Sequence, residues 1–105
     1  MSLLITFQGK RIEYTYELFC KKGFGARPSS AISLDLVGLA QKLSESGYFK
    51  LRKSAHNYVV LEHDETTISI MRNGEILLEQ VPRGDPREVE RTISEIFSDL
   101  GSQDE

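Results

Sequence analysis

The sequence predicts one α+β domain spanning residues 1–105: an antiparallel sheet of about five or six strands with two helices packed on one face, in the order ββαββββα. Three observations carry this. Leu36, Leu39 and Leu43, and later Val89, Ile93, Ile96, Phe97 and Leu100, repeat at the three- and four-residue spacing of an amphipathic helix. Several other segments alternate apolar and polar residues, the period of a strand with one buried face. Short breaks such as Gln8-Gly9 and Asn73-Gly74 join those segments as hairpins.

Leu3 to Phe7 is a short apolar run that ends at Gln8-Gly9. From Lys10 onwards Ile12, Tyr14, Tyr16 and Leu18 share one face, against Arg11, Glu13, Thr15 and Glu17 on the other. An opening hairpin follows from that pattern. Cys20 to Ser30 reads as a loop, since Phe24 is its only large apolar residue among glycines, serines, Pro28 and basic residues. The first helix follows, with Ser33 or Asp35 as its N-cap and Gly47 as its left-handed stop. Tyr48–Lys53, Asn57–His63, Thr66–Arg72 and Glu75–Val81 read as strands. Asn73-Gly74 is expected to form a type I′ turn between the last two. The second helix opens with Asp85 as cap, Pro86 in the first position and Glu88 completing a capping box. Gly101 closes it, and Ser102 to Glu105 reads as a disordered polar tail.

Composition narrows the functional classes. The chain is 39% hydrophobic and 28% charged, the balance of an ordinary globular domain. No apolar run reaches a membrane span, and the N-terminus lacks the pattern of a signal peptide, so the expected location is the cytoplasm. The single cysteine, Cys20, excludes an internal disulfide. Net charge is -3 and unevenly spread: residues 1–55 hold nine Lys or Arg against four acids, and 56–105 hold four against twelve. An acidic total disfavours nucleic acid, although Lys50, Arg52 and Lys53 lie near tyrosines and a phenylalanine.

Few residues assemble a recognisable chemistry. His56 and His63 are seven apart, which puts them on opposite faces of a strand, so no metal site is expected. Cys20 continues the Ile12–Leu18 face and is expected to pack as a small hydrophobe, not to act as a nucleophile. No catalytic residue and no cofactor is expected. Gly23-Phe24-Gly25, flanked by Lys21, Lys22 and Arg27, offers backbone N–H groups and cations that would hold a small anion or nucleotide. Lys21, Lys22, Phe24 and Arg27 are therefore the candidate binding residues.

Ile32 to Gly101 resembles the small C-terminal accessory domain of E1-like adenylyltransferases of the ThiF/MoeB/HesA type. The resemblance rests on Ser33-Leu-Asp-Leu opening a helix, Leu43-Ser-Glu-Ser-Gly47 ending it, the Ile68 to Leu78 hairpin, and Gly84-Asp-Pro-Arg-Glu-Val-Glu leading into a helix. Asn73-Gly74-Glu75 departs from the Asp-Gly-Arg-like turn usual there. The hairpin-then-helix pattern is also similar to the half-repeats of TATA-binding-protein-like folds. The nucleotide-binding domain of those adenylyltransferases has no counterpart here, so the resemblance implies an accessory domain that binds a partner. The leading expectation is a non-enzymatic interaction module that binds a partner protein or a second copy of itself, as a homodimer, through the uncovered sheet face or an edge strand. Anion or nucleotide binding through the 21–30 segment is the alternative.

Overall fold

The computed structural model describes residues 1–101 of the chain, and the side chains of 1–98. The strands are β1 (Ser2–Phe7), β2 (Lys10–Cys20), β3 (Gly23–Pro28), β4 (Lys50–Ser54), β5 (Tyr58–His63), β6 (Thr66–Met71) and β7 (Ile76–Glu79). Helix α1 (Leu36–Glu45) separates β3 from β4, and helix α2 (Pro86–Gly101) follows β7 and a 3₁₀ turn at Pro82–Gly84. The Leu100 and Asp99 side chains and the Ser102–Glu105 tail lie outside the described residues.

All seven strands form one antiparallel sheet in the order β1-β2-β3-β7-β6-β5-β4. It consists of two meanders, β1–β3 and β4–β7, joined where Phe24 pairs with Leu78 and Ala26 with Ile76. Alternation sets the core. Ile12, Tyr14, Tyr16, Phe24, Ala26, Val59, Leu61, Ile68, Ile70, Ile76 and Leu78 all point to the same side and are buried. Both helices cover that side. α1 lies on β4 and β5, while α2 lies on β1 and touches α1. Phe97 of α2 sits 5.3 Å from the Tyr14 ring and 5.7 Å, edge-on, from Phe7. Leu39 and Leu43 of α1 and Val89, Ile93 and Ile96 of α2 are the stripes read from sequence, and all are buried.

Four expectations are corrected. The sheet has seven strands, because the expected Cys20–Ser30 loop contains β3, a central strand paired on both sides. Cys20 is exposed: the register slips between Leu18 and Cys20 and turns it off the Ile12–Tyr16 face, and Leu18, still on that face, is itself 51% exposed, so the core does not reach this end of β2. The β6–β7 connection is not type I′. Only Gly74 has positive φ (94°), and Gly74 N–H donates to the Met71 carbonyl at 3.0 Å. That is a three-residue loop, a type I turn followed by a left-handed residue. The capping box at α2 is half formed: Asp85 Oδ1 accepts from Arg87 N–H at 3.0 Å, but Asp85 N–H donates to the Pro82 carbonyl, and Glu88 pairs with Arg91. At α1 the N-cap position belongs to Asp35, whose side chain makes no capping bond.

Candidate functional site

An open sheet has two edges, and here they are built differently. β4 presents Lys50, Leu51, Arg52, Lys53 and Ser54, all exposed, and its register slips between Leu51 and Lys53. Basic side chains and a bulge are the features that keep an edge from accepting another strand. β1 has neither. Ser2-Leu-Leu-Ile-Thr-Phe7 is uncharged and pairs with β2 in unbroken register from Ser2↔Thr15 to Phe7↔Lys10.

The turn at the end of β1 fixes which of its backbone groups are free. Gln8 and Gly9 both have positive φ, 52° and 77°, the signature of a two-residue type I′ turn. Such a turn closes on a hydrogen-bonded pair, here Phe7 with Lys10, and bonded pairs then recur at every second residue. Leu3, Ile5 and Phe7 therefore direct N–H and C=O towards β2. Ser2, Leu4 and Thr6 direct theirs outwards. The bond from Tyr16 N–H to the Met1 carbonyl, 2.8 Å, keeps the same parity.

Side chains complete the site. Leu4 is 64% exposed on the face away from the helices, and Ile5 is buried on the other. Leu4, Ile5 and Thr6 form one bank of a groove of about 330 Å³ whose other bank is Ser94, Phe97 and Ser98 of α2. The rings of Phe7 and Tyr14 hold Phe97 in place. Tyr16 ties the helix to β2 by donating its hydroxyl proton to Glu90 Oε2. Burial, then that hydrogen bond, then the Glu90 charge push the Tyr16 phenol up to about 12, so it stays a donor at neutral pH.

Comparison with protein-family models, curated proteins and solved structures gives no match.

What the site takes therefore follows from its own groups. A row of outward N–H and C=O groups beside an apolar groove has the chemistry that an extended backbone would pair with. A second concavity, of about 570 Å³, lies on the uncovered face above Gly25, between Phe19, Arg27, Met71 and Leu77. Among the described residues no three His, Cys, Asp or Glu side chains converge.

The residues singled out for anion binding are dispersed. Lys21 and Lys22 form the β2–β3 turn, where the Lys22 carbonyl accepts from Val81 N–H at 2.9 Å. Phe24 points into the core, 6.2 Å from the Tyr16 ring. Arg27 lies on the opposite face, where its guanidinium meets Glu75 at 3.5 Å. His56 is exposed in the β4–β5 turn. His63 stacks on Tyr48 at 3.9 Å and donates from Nδ1 to the Tyr48 carbonyl. Among the described residues no helix is long and apolar enough to cross a membrane. Sequence reasoning did not single out Ser2, Leu4 and Thr6. The available signal was a first strand without charge, set against a later strand with three basic residues.

Proposed function

We propose that this chain is a non-enzymatic protein-interaction module of the cytoplasm that takes an extended segment of a partner as an additional strand on β1. The supporting observation is the contrast between the two edges. β4 carries charge and a bulge, whereas β1 leaves the backbone groups of Ser2, Leu4 and Thr6 directed outwards in an unbroken, uncharged strand. The resemblance to an accessory domain of adenylyltransferases agrees with a partner-binding role. Selection from a displayed library of linear peptides, followed by amide NMR of the complexes, tests the reading. Bound peptides should shift the Ser2, Leu4 and Thr6 amides and slow their exchange with solvent. Leu4→Pro should abolish that binding with the fold intact, because the Leu4 N–H takes no part in the β1–β2 ladder. Peptides that map to residues 21–30, or that bind Leu4→Pro equally well, would rule the edge out.

A further inference from the structure

We infer that the strand docking on β1 is β1 of a second copy of this chain, antiparallel, with Leu4 opposite Leu4 across a twofold axis. This rests on the docking reading above and names its occupant. The outward groups belong to alternate residues, Ser2, Leu4 and Thr6, so an antiparallel copy satisfies them when Ser2 meets Thr6, Leu4 meets Leu4 and Thr6 meets Ser2. That register gives a ladder of about six main-chain hydrogen bonds. Sliding the copy by two residues in either direction loses one of the three rungs.

Charge and shape fit the same partner. No charged residue lies in β1, so the two paired strands oppose no like charges. Two β4 edges would instead bring Lys50, Arg52 and Lys53 against their equivalents. Pairing of β1 with β4 meets the irregularity between Leu51 and Lys53. On the uncovered face the exposed Leu4 side chains meet each other. On the helix face, Leu3 of the second copy falls beside Ile5, in the groove banked by Ser94, Phe97 and Ser98. The two serines are short and uncharged, which leaves room for that leucine. An interface of one short strand is of the transient class, with a dissociation constant on the order of 100 µM.

Disulfide trapping tests both the partner and the register, in a Cys20→Ser background that removes the exposed native thiol. Facing residues of a bonded antiparallel pair have Cα atoms about 5.5 Å apart, within disulfide range. Leu4→Cys should oxidise to a covalent dimer in a glutathione buffer. Ser2→Cys or Thr6→Cys alone should yield at least about tenfold less, because each then faces a residue of the other type. The two together should restore trapping. Equal trapping by Thr6→Cys alone would overturn the register. Sedimentation equilibrium of the unmodified chain should show a mass rising towards two chains as concentration approaches about 1 mM. Leu4→Pro should stay at one chain. A one-chain mass for the unmodified protein overturns self-pairing. If a selected peptide still shifts the Ser2, Leu4 and Thr6 amides of such a monomer, the docking reading survives; if none does, both fall.

Discussion

Gly74→Ala is the substitution whose cost the structure defines best. Gly74 has φ +94°, a conformation that costs a residue with a side chain about 1–2 kcal/mol. A Cβ there would stand 2.5 Å from Ile32 Cδ1, 2.6 Å from Ile32 Cγ1 and 3.0 Å from the Tyr14 hydroxyl oxygen. Ile32 would have to leave its rotamer, for about 0.5–1.5 kcal/mol. Tyr14 is fully buried, and its hydroxyl donates to the Gly74 carbonyl at 2.7 Å; disturbing that bond costs about another 1 kcal/mol. The terms together give about 2.5–4.5 kcal/mol, a large share of the roughly 5–15 kcal/mol that holds a domain of this size. Urea unfolding followed by circular dichroism reads the loss as a lower midpoint at unchanged slope. Gly25→Ala is the control. No heavy atom lies within 4 Å of its added Cβ and its φ is not positive, so stability should move by no more than about 0.5 kcal/mol. Gly74→Asn separates the contributions, because asparagine enters the left-handed region readily but still brings the crowding atom. A loss below about 1 kcal/mol for Gly74→Ala would refute the close packing of Ile32 and the Tyr14 hydroxyl against this turn.

Three further outcomes are expected. Tyr16 ionises at about 12 in the fold against 10.0 ordinarily, and burial shifts Tyr14 the same way, so the stability they confer is complete below pH 10 and is lost above it. The loss should be at most about 1.4 kcal/mol per pH unit for each group as pH rises above 10. Phenolate absorbance at 295 nm should rise together with loss of the circular dichroism signal; ionisation of Tyr16 near 10 in a folded chain would refute this. Ile93→Ala, at a fully buried position of α2, should cost about 2–5 kcal/mol, whereas Val37→Ala, at a residue 76% exposed on α1, should cost less than about 0.5, both by urea unfolding. Replacing Lys50, Arg52 and Lys53 together by threonine should leave the fold intact and produce concentration-dependent species larger than a dimer by light scattering; unchanged size distributions would show that these charges do not guard β4.

The elements set by local pattern were legible and those set by distant pairing were not. Both helices announce themselves, because Leu39, Leu43, Val89, Ile93 and Ile96 repeat at the spacing that puts them on one buried stripe. The hairpin linking β6 to β7 was readable from Asn73-Gly74, although the loop uses three residues instead of two. β3 was hidden. Gly23-Phe-Gly-Ala-Arg-Pro28 has two glycines, a proline and no β-branched residue, so its propensity opposes the strand. Partners on both sides impose it, through Ala26 against Tyr16 and against Ile76. The proline is tolerated because it lies at the strand's end, beyond the residues paired with β7. Cys20 was misplaced for a related reason: β2 runs on past the covered core after Tyr16, where Leu18 is already exposed, and a one-residue slip then turns Cys20 to the other face, neither of which Leu18-Phe-Cys20 marks.

The edge site shows the same dependence on topology more sharply. That β1 is uncharged is plain from the chain, but whether an uncharged strand is buried between neighbours or left open depends on which strands pair. The β3–β7 pairing decides it. It joins the two meanders at mid-sheet, so their outer strands, β1 and β4, become the two edges. Had β1 joined β4, the sheet would have closed and neither would be available. A sheet with two receptive edges would add copies without limit, head to tail, while one with two guarded edges would add none. One receptive and one guarded edge permits a single addition and then stops. The anion reading gains nothing comparable from the fold, because the strand that carries Phe24 and Arg27 sends them to opposite faces and leaves Lys21 and Lys22 at a corner. The distribution of charge between β1 and β4 is therefore the feature that distinguishes the two edges, and under the proposed reading it favours a partner that brings one strand.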